Sequence, residues 1–175
     1  MKQHKPDGED VPIYVKQHAT MTQAERREYQ KRVEEGGEVA SDGLAKRIED
    51  AHLLGYAVLS GNVVAGGALK HPTESYKNKI GDRAGYNLDG YHAELGWIYV
   101  APSSRSRHLA SRLSDALCGT YGSSIFATTR SDNRHMQTIL EKLGFGKAGR
   151  EYDSVEHPGK RLQLWVRPSK AGAAQ

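Results

Sequence analysis

The sequence has one cysteine, Cys118, so no intrachain disulfide can form and a cysteine-based zinc cluster is excluded. Nothing in it approaches the ~18 consecutive apolar residues of a membrane span. The opening stretch, Met1 to Asp10, is polar and charged and lacks the apolar run of a signal peptide. These absences predict a soluble, cytoplasmic chain with no membrane partner. There is also no helix-turn-helix spacing, zinc pattern or aromatic-basic repeat, so a DNA-binding role has no motif behind it. Hydrophobic residues reach only 37% and mean hydropathy is −0.69, which predicts a modest core under a wet surface. The 175 residues make one domain at roughly 100 to 200 residues per unit. We place it at 11–167, between a polar extension over 1–10 and a tail over 168–175.

Charge becomes informative when the chain is divided. Residues 1–100 hold 13 Lys and Arg against 15 Asp and Glu, whereas residues 101–175 hold 12 against 6, so the net charge of +4 hides an acidic front and a basic back. A basic half suits nucleic acid, a phosphorylated small ligand or plain solvation.

Hydropathy patterning then gives the elements. Val11 to Gln17 alternates like a strand, and Thr22-Gln23-Ala24-Glu25 has capping-box spacing at the start of a helix running to Glu35. A short helix over Gly43 to Ala51 follows a Ser41-Asp42 cap. Two strands, Leu53 to Ser60 and Val63 to Lys70, flank Gly61-Asn62, which suits a tight hairpin. A helix over Glu74 to Ala84 has a stripe of Tyr76, Ile80 and Ala84, and Glu94 to Val100 reads as a central strand bulged near Gly96. Leu109, Leu113 and Leu117 mark a helix from Arg107 to Cys118, closed by Gly119. A strand over Ser124 to Thr129 leads to a helix capped by Ser131 or Asp132 and stopped at Gly144. Strands over Phe145 to Tyr152 and Arg161 to Val166 follow, and the order implies a mixed α/β sheet with helices on its faces.

One junction carries chemistry. Between the central strand and the next helix stands Pro102-Ser103-Ser104-Arg105-Ser106-Arg107-His108-Leu109-Ala110. Backbone N–H groups of such a turn, with the positive end of a helix behind them, form an anion site, and Arg105 and Arg107 add full charges. A pyrophosphate is the natural ligand, although arginines at a helix start are also common surface residues.

The run Val100 to Ala110 resembles the acetyl-CoA loop of the GNAT N-acetyltransferase superfamily, Arg/Gln-x-x-Gly-x-Gly/Ala, with Arg105 and Ala110 matching and His108 at a glycine position. Asn133 to Phe145, an Asn opening a helix that ends Leu-Gly-Phe, is similar to the family's second signature. The resemblance implies a mixed, mostly antiparallel sheet of about seven strands with helices on both faces, splayed at the central strands. It implies acetyl-CoA as co-substrate. The backbone of Ile98, Tyr99 and Val100 would then pair with the pantetheine arm. The N–H groups of Arg107, His108, Leu109, Ala110 and Ser111, beside Arg105 and Ser106, would hold the pyrophosphate, and Asn133 would bond the arm from the other side.

Acyl transfer to an amine needs a deprotonated nucleophile, donors for the developing oxyanion and a proton for the thiolate. Glu94 is the expected general base, and the backbone N–H near Tyr99 the expected carbonyl donor. Where many members of that family carry a tyrosine, this chain has Leu140. The thiolate then leaves unaided or takes its proton from Tyr99, His108 or Tyr121. By the same resemblance the acceptor site includes the segment after the hairpin, where Tyr76, Tyr86 and Tyr91, with Glu94, suit a cationic amine.

The resulting expectation is an N-acetyltransferase acting on a primary amine of a small molecule or a protein by direct attack in a ternary complex, with no metal. An aminoacyl-tRNA-acetylating toxin and a catalytically weak CoA-binding module are the alternatives. A homodimer is left open.

Overall fold

The computed structural model describes residues 11–37, 40–105 and 107–169. The chain builds β1 (Ile13–Lys16), α1 (Gln23–Glu35), α2 (Leu44–Glu49), β2 (Leu53–Leu59), β3 (Asn62–Lys70), α3 (Glu74–Ala84) and β4 (Ala93–Val100). It continues with α4 (Leu109–Thr120), β5 (Ile125–Arg130), α5 (Arg134–Lys142), β6 (Gly146–Asp153) and β7 (Arg161–Arg167). The strands form one seven-stranded sheet in the order β1-β2-β3-β4-β5-β7-β6. Every neighbouring pair is antiparallel except β4 and β5.

Each face of the sheet has its own helices. Tyr29 and Val33 of α1 and Leu44 and Ile48 of α2 pack with Leu54 and Tyr56 of β2, while Ile80 and Ala84 of α3 pack with Phe126 and Leu164 of β5 and β7. On the other face, Leu117 of α4 and Leu140 of α5 meet Leu95, Ile125 and Trp165. Strand alternation sends successive side chains to these two layers.

Two irregularities shape the centre. β4 pairs with β5 only through Ala93, Glu94 and Leu95, while β5 continues against β7 as far as Arg130. From Gly96 onward β4 has no partner on that side, which is the splay the sequence implied. On its other side, Gly96 stands opposite Ala68 but Tyr99 opposite Gly66, so β4 holds one extra residue there, and Trp97 has a left-handed φ of 56°. This bulge reverses the alternation. Leu95, Ile98 and Val100 pack towards α4, and Trp97 packs towards α1 and α2.

Several local expectations shift by a residue or two. The hairpin turns at Ser60 and Gly61, with φ of 51° and 77°, rather than at Gly61-Asn62. The cause is an extra residue at Val64, since Ala57 pairs with Ala65 and Val58 with Val63. α2 is preceded by left-handed Gly43 with no side-chain cap, so Ser41 and Asp42 do not cap it. α5 is capped by Asn133, whose side chain accepts from the Met136 N–H at 3.1 Å, and not by Ser131 or Asp132. Gly119 lies inside α4, which runs on to Thr120. On α3 the buried stripe holds Lys77 in place of Tyr76: Lys77 is 3% exposed and reaches Glu74 at 2.8 Å, whereas Tyr76 is 39% exposed. The capping box of α1 forms as expected, with Thr22 accepting from the Glu25 N–H and Glu25 accepting from the Thr22 N–H.

Candidate active site

The gap beside β4 opens into a cavity of about 490 Å³. One wall is Ile98, Tyr99 and Val100 of β4. The floor is Arg105, His108, Leu109 and Ala110, and the far wall is Asn133, His135 and Met136 at the start of α5. The strand, the loop and the second helix of the sequence reading therefore meet around one space.

Leu109 and Leu113, both essentially buried, anchor α4 against Ala57 and Ala65 and so fix where the helix begins. The preceding residue, His108, has left-handed φ and ψ of 54° and 23°, a conformation that glycine adopts without strain. Its carbonyl accepts the first helical bond, from the Arg112 N–H at 3.0 Å. Among the described residues no side chain caps this helix start, which leaves its leading N–H groups directed at the cavity floor. Arg105 lies at the floor, its Nε 3.4 Å from the Val100 carbonyl oxygen. Arg107 is half-buried and does not line the cavity, and Ser106 lies outside the described residues.

The ladder narrows the expectation of a backbone N–H near Tyr99. Ala101 N–H donates to the Val64 carbonyl at 2.8 Å. Two residues earlier Tyr99 stands opposite Gly66, so the antiparallel alternation commits the Tyr99 N–H to β3 and turns the Val100 N–H into the gap. Among these three residues the Val100 N–H is thus the one that faces the gap. Tyr99 and His108 both border the cavity, the Tyr99 side chain packing beside Gly36 at the end of α1, whereas Tyr121 lies near His52 with centroids 5.4 Å apart and outside the cavity wall. Leu140 is fully buried in the core. His135 and Met136 are cavity residues the sequence reading missed. Met136 was legible only as one position of the apolar stripe of α5, and His135 carried no signal of its own.

Glu94 stands on the other side of the splay, 2% exposed. Its Oε2 is 2.7 Å from Lys70 Nζ, and its Oε1 accepts from the Tyr76 hydroxyl at 3.3 Å and the Thr128 hydroxyl at 3.5 Å. Burial, with the charge of Glu94 added, pushes the Tyr76 phenol far above its ordinary value, because its hydroxyl points inward although much of the residue is exposed. Burial also raises Tyr152 to about 12, with Glu94 again contributing and Arg83 opposing. The Lys70 ammonium is 5.7 Å from the ring centroids of both Tyr76 and Trp97. Tyr86 and Tyr91 are not part of this group: their hydroxyls face one another at 3.5 Å, within a cluster containing Ile80, Leu88 and Ala148. Cys118 is buried, which lifts its thiol to about 11 and suits a packing role.

The seven-stranded sheet, splayed at its one parallel pair with an uncapped helix start below, is a recurrent α/β fold. Solved structures share it. The ribosomal-protein-alanine N-acetyltransferase of Escherichia coli is 16% identical, with 94% of this chain and 99% of that one covered and a TM-score of 0.62. An acyl-CoA N-acyltransferase from Pseudomonas aeruginosa is 14% identical over 90% and 99%, with a TM-score of 0.65. An aminoglycoside 6′-N-acetyltransferase complexed with coenzyme A is 15% identical over 89% and 96%, with a TM-score of 0.61. No curated protein sequence matches the chain. The model of the acetyltransferase (GNAT) family matches residues 18–145, and the chain belongs to that family. It is accordingly an acyl-CoA-dependent acyltransferase with acetyl-CoA as co-substrate. Among the described residues no helix is long and apolar enough to cross a membrane.

Proposed function

We propose that the chain transfers an acetyl group from acetyl-CoA to a primary amine of a small molecule or a protein, by direct attack within a ternary complex. One observation carries the reading: a 2%-exposed carboxylate, Glu94, stands on β4 just before the point where β4 leaves β5, and a cavity of about 490 Å³ opens beside β4 beyond that point. Acetyl-CoA supplies an activated acyl group on a thiolate leaving group. The α4 N–H groups and Arg105 hold its phosphates by charge and dipole, and the Val100 amide and Asn133 orient the arm. Glu94 receives the proton of the acceptor amine, with Tyr76 and Thr128 fixing the carboxylate. With Leu140 in the core, the thiolate leaves unaided or takes its proton from Tyr99 or His108, both of which border the cavity.

The relatives support an amine acceptor of either kind, one named for an aminoglycoside and one for a ribosomal-protein alanine. The test is acetyl transfer across a panel of amines and N-terminal peptides. Turnover should fall on the order of 10²- to 10⁴-fold in Glu94→Gln while acetyl-CoA still raises the unfolding temperature. Undiminished turnover in that variant would remove Glu94 from the reaction.

A further inference from the structure

The place where an acceptor amine must stand is taken by an amine of the chain itself. Lys70 is the last residue of β3 and pairs across the ladder with Glu94. Its Nζ touches the Glu94 carboxylate at 2.7 Å and lies between the Tyr76 and Trp97 rings, so carboxylate and aromatic faces surround an ammonium much as they would a bound substrate amine. The lysine side chain is only 19% exposed.

Its path is fixed by a glycine. A β-carbon added to Gly96 would fall 2.8 Å from Lys70 Cε and 3.1 Å from Nζ, so the lysine chain lies flat across the Gly96 backbone. Gly96 is the first β4 residue without a β5 partner. The amine therefore rests over the residue where the splay begins and against the candidate base. Among the described residues Lys16 has similar surroundings, with Glu25 at 2.9 Å and the Tyr14 and Tyr56 rings at 5.9 and 6.0 Å, but it stands on the edge strand β1, away from the splay. Lys46 is ion-paired with Asp50 at 2.7 Å, but its side chain is 68% exposed and stands on α2. Lys77 is buried, but it pairs with Glu74, which stands 72% exposed at the surface.

The geometry points to Lys70 as a site of self-acetylation, with the chain acting as its own first acceptor; this rests on the reading of Glu94 as general base. In the step, the Lys70 ammonium gives a proton to Glu94 and the neutral amine attacks the thioester carbonyl carbon of acetyl-CoA. The Nζ–C bond forms and the C–S bond breaks. CoA departs as thiolate and takes up the second proton released by the nitrogen, and Nε-acetyl-lysine with a single N–H remains. The modified side chain has no charge with which to hold Glu94, so acetylation also releases the carboxylate towards an external amine.

The experiment incubates the full chain with isotopically labelled acetyl-CoA, with no amine added, and maps the label by peptide mass spectrometry over time and protein concentration. Label should accumulate on Lys70 ahead of Lys46, at a first-order rate independent of protein concentration. It should form on the order of 10²-fold more slowly in Glu94→Gln and be absent from position 70 in Lys70→Arg, with Lys46 labelling unchanged in both. A rate at Lys70 equal to that at Lys46, or unaltered in Glu94→Gln, would mean uncatalysed chemical acetylation and overturn the proposal. A rate that rises with protein concentration would overturn it in favour of transfer between copies. An unlabelled Lys70 in a chain that acetylates a free amine overturns it while the proposed function stands. An unlabelled Lys70 with no turnover on any amine removes both.

Discussion

The two sides of the splayed strand are built in different ways. On the proposed coenzyme side the groups that would act are mostly backbone: the Val100 amide, the left-handed turn at His108 and the opening N–H groups of α4. On the acceptor side they are side chains from four elements, Lys70 of β3, Tyr76 of α3, Glu94 of β4 and Thr128 of β5. A site made of backbone tolerates substitution so long as the turn and the helix start survive. A site made of converging side chains fails when one of them changes.

The largest expected effect is therefore on the acceptor side. Glu94→Gln should remove 10²- to 10⁴-fold of turnover, roughly the contribution of a positioned base, with little change in acetyl-CoA affinity. It should also lower the unfolding temperature, because Lys70, four-fifths buried, loses its charge partner. On the coenzyme side, Arg105→Ala should raise the KM for acetyl-CoA by about tenfold and leave kcat nearly constant, the size expected for a charge-assisted contact open to solvent. Steady-state kinetics of the two variants decide the contrast. A kcat loss in the arginine variant, or a KM effect for acetyl-CoA in the Glu94 variant, would mean that the two sides are not separable.

The same difference explains what the sequence made legible. The coenzyme side is local, so Arg105, His108, Ala110 and Asn133 could be read from two short runs, and the structure brings all four to one cavity. The acceptor side depends on register. Lys70 and Glu94 are 24 residues apart and meet only because β3 and β4 are adjacent with a fixed offset. Tyr76 was found for its proximity to the hairpin, but so were Tyr86 and Tyr91, which pack on each other instead. Composition cannot distinguish a tyrosine aimed at a carboxylate from one aimed at another tyrosine. The bulge was legible from Gly96, yet its effect on which amide faces the gap was not, because that depends on counting residues on both strands.

His108→Gly sharpens the contrast further. The change relieves a left-handed β-carbon at a cost of about 1–2 kcal/mol, offset in part by the greater freedom of glycine in the unfolded chain. The net should be a rise in stability of up to about 1 kcal/mol, or roughly 2–4 °C in Tm. If backbone is what holds the phosphates, acetyl-CoA affinity should be retained or improved. A large loss of affinity by calorimetry would make the imidazole itself a ligand, and the coenzyme side would then depend on a side chain as the acceptor side does.

The smallest effect belongs to a carboxylate engaged in neither site. Glu25 accepts from Lys16, from the Tyr56 hydroxyl and from the Thr22 N–H, and these bonds, the lysine's foremost, lower its carboxyl from 4.5 to about 2. A carboxyl held below its unfolded value contributes stability above pH 4.5, and that contribution is lost as pH falls towards 2. Because the network is reached by solvent, its size is on the order of 1 kcal/mol. Glu25→Gln keeps an acceptor for the capping box but has no charge to titrate. The difference in unfolding temperature between the original chain and this variant should be full at neutral pH and shrink below pH 4.5. Turnover at neutral pH should be the same in both. A Glu25→Gln variant with impaired turnover would show that α1 transmits strain to β4, where Tyr99 packs beside Gly36, and the acceptor side would then extend beyond its four converging side chains.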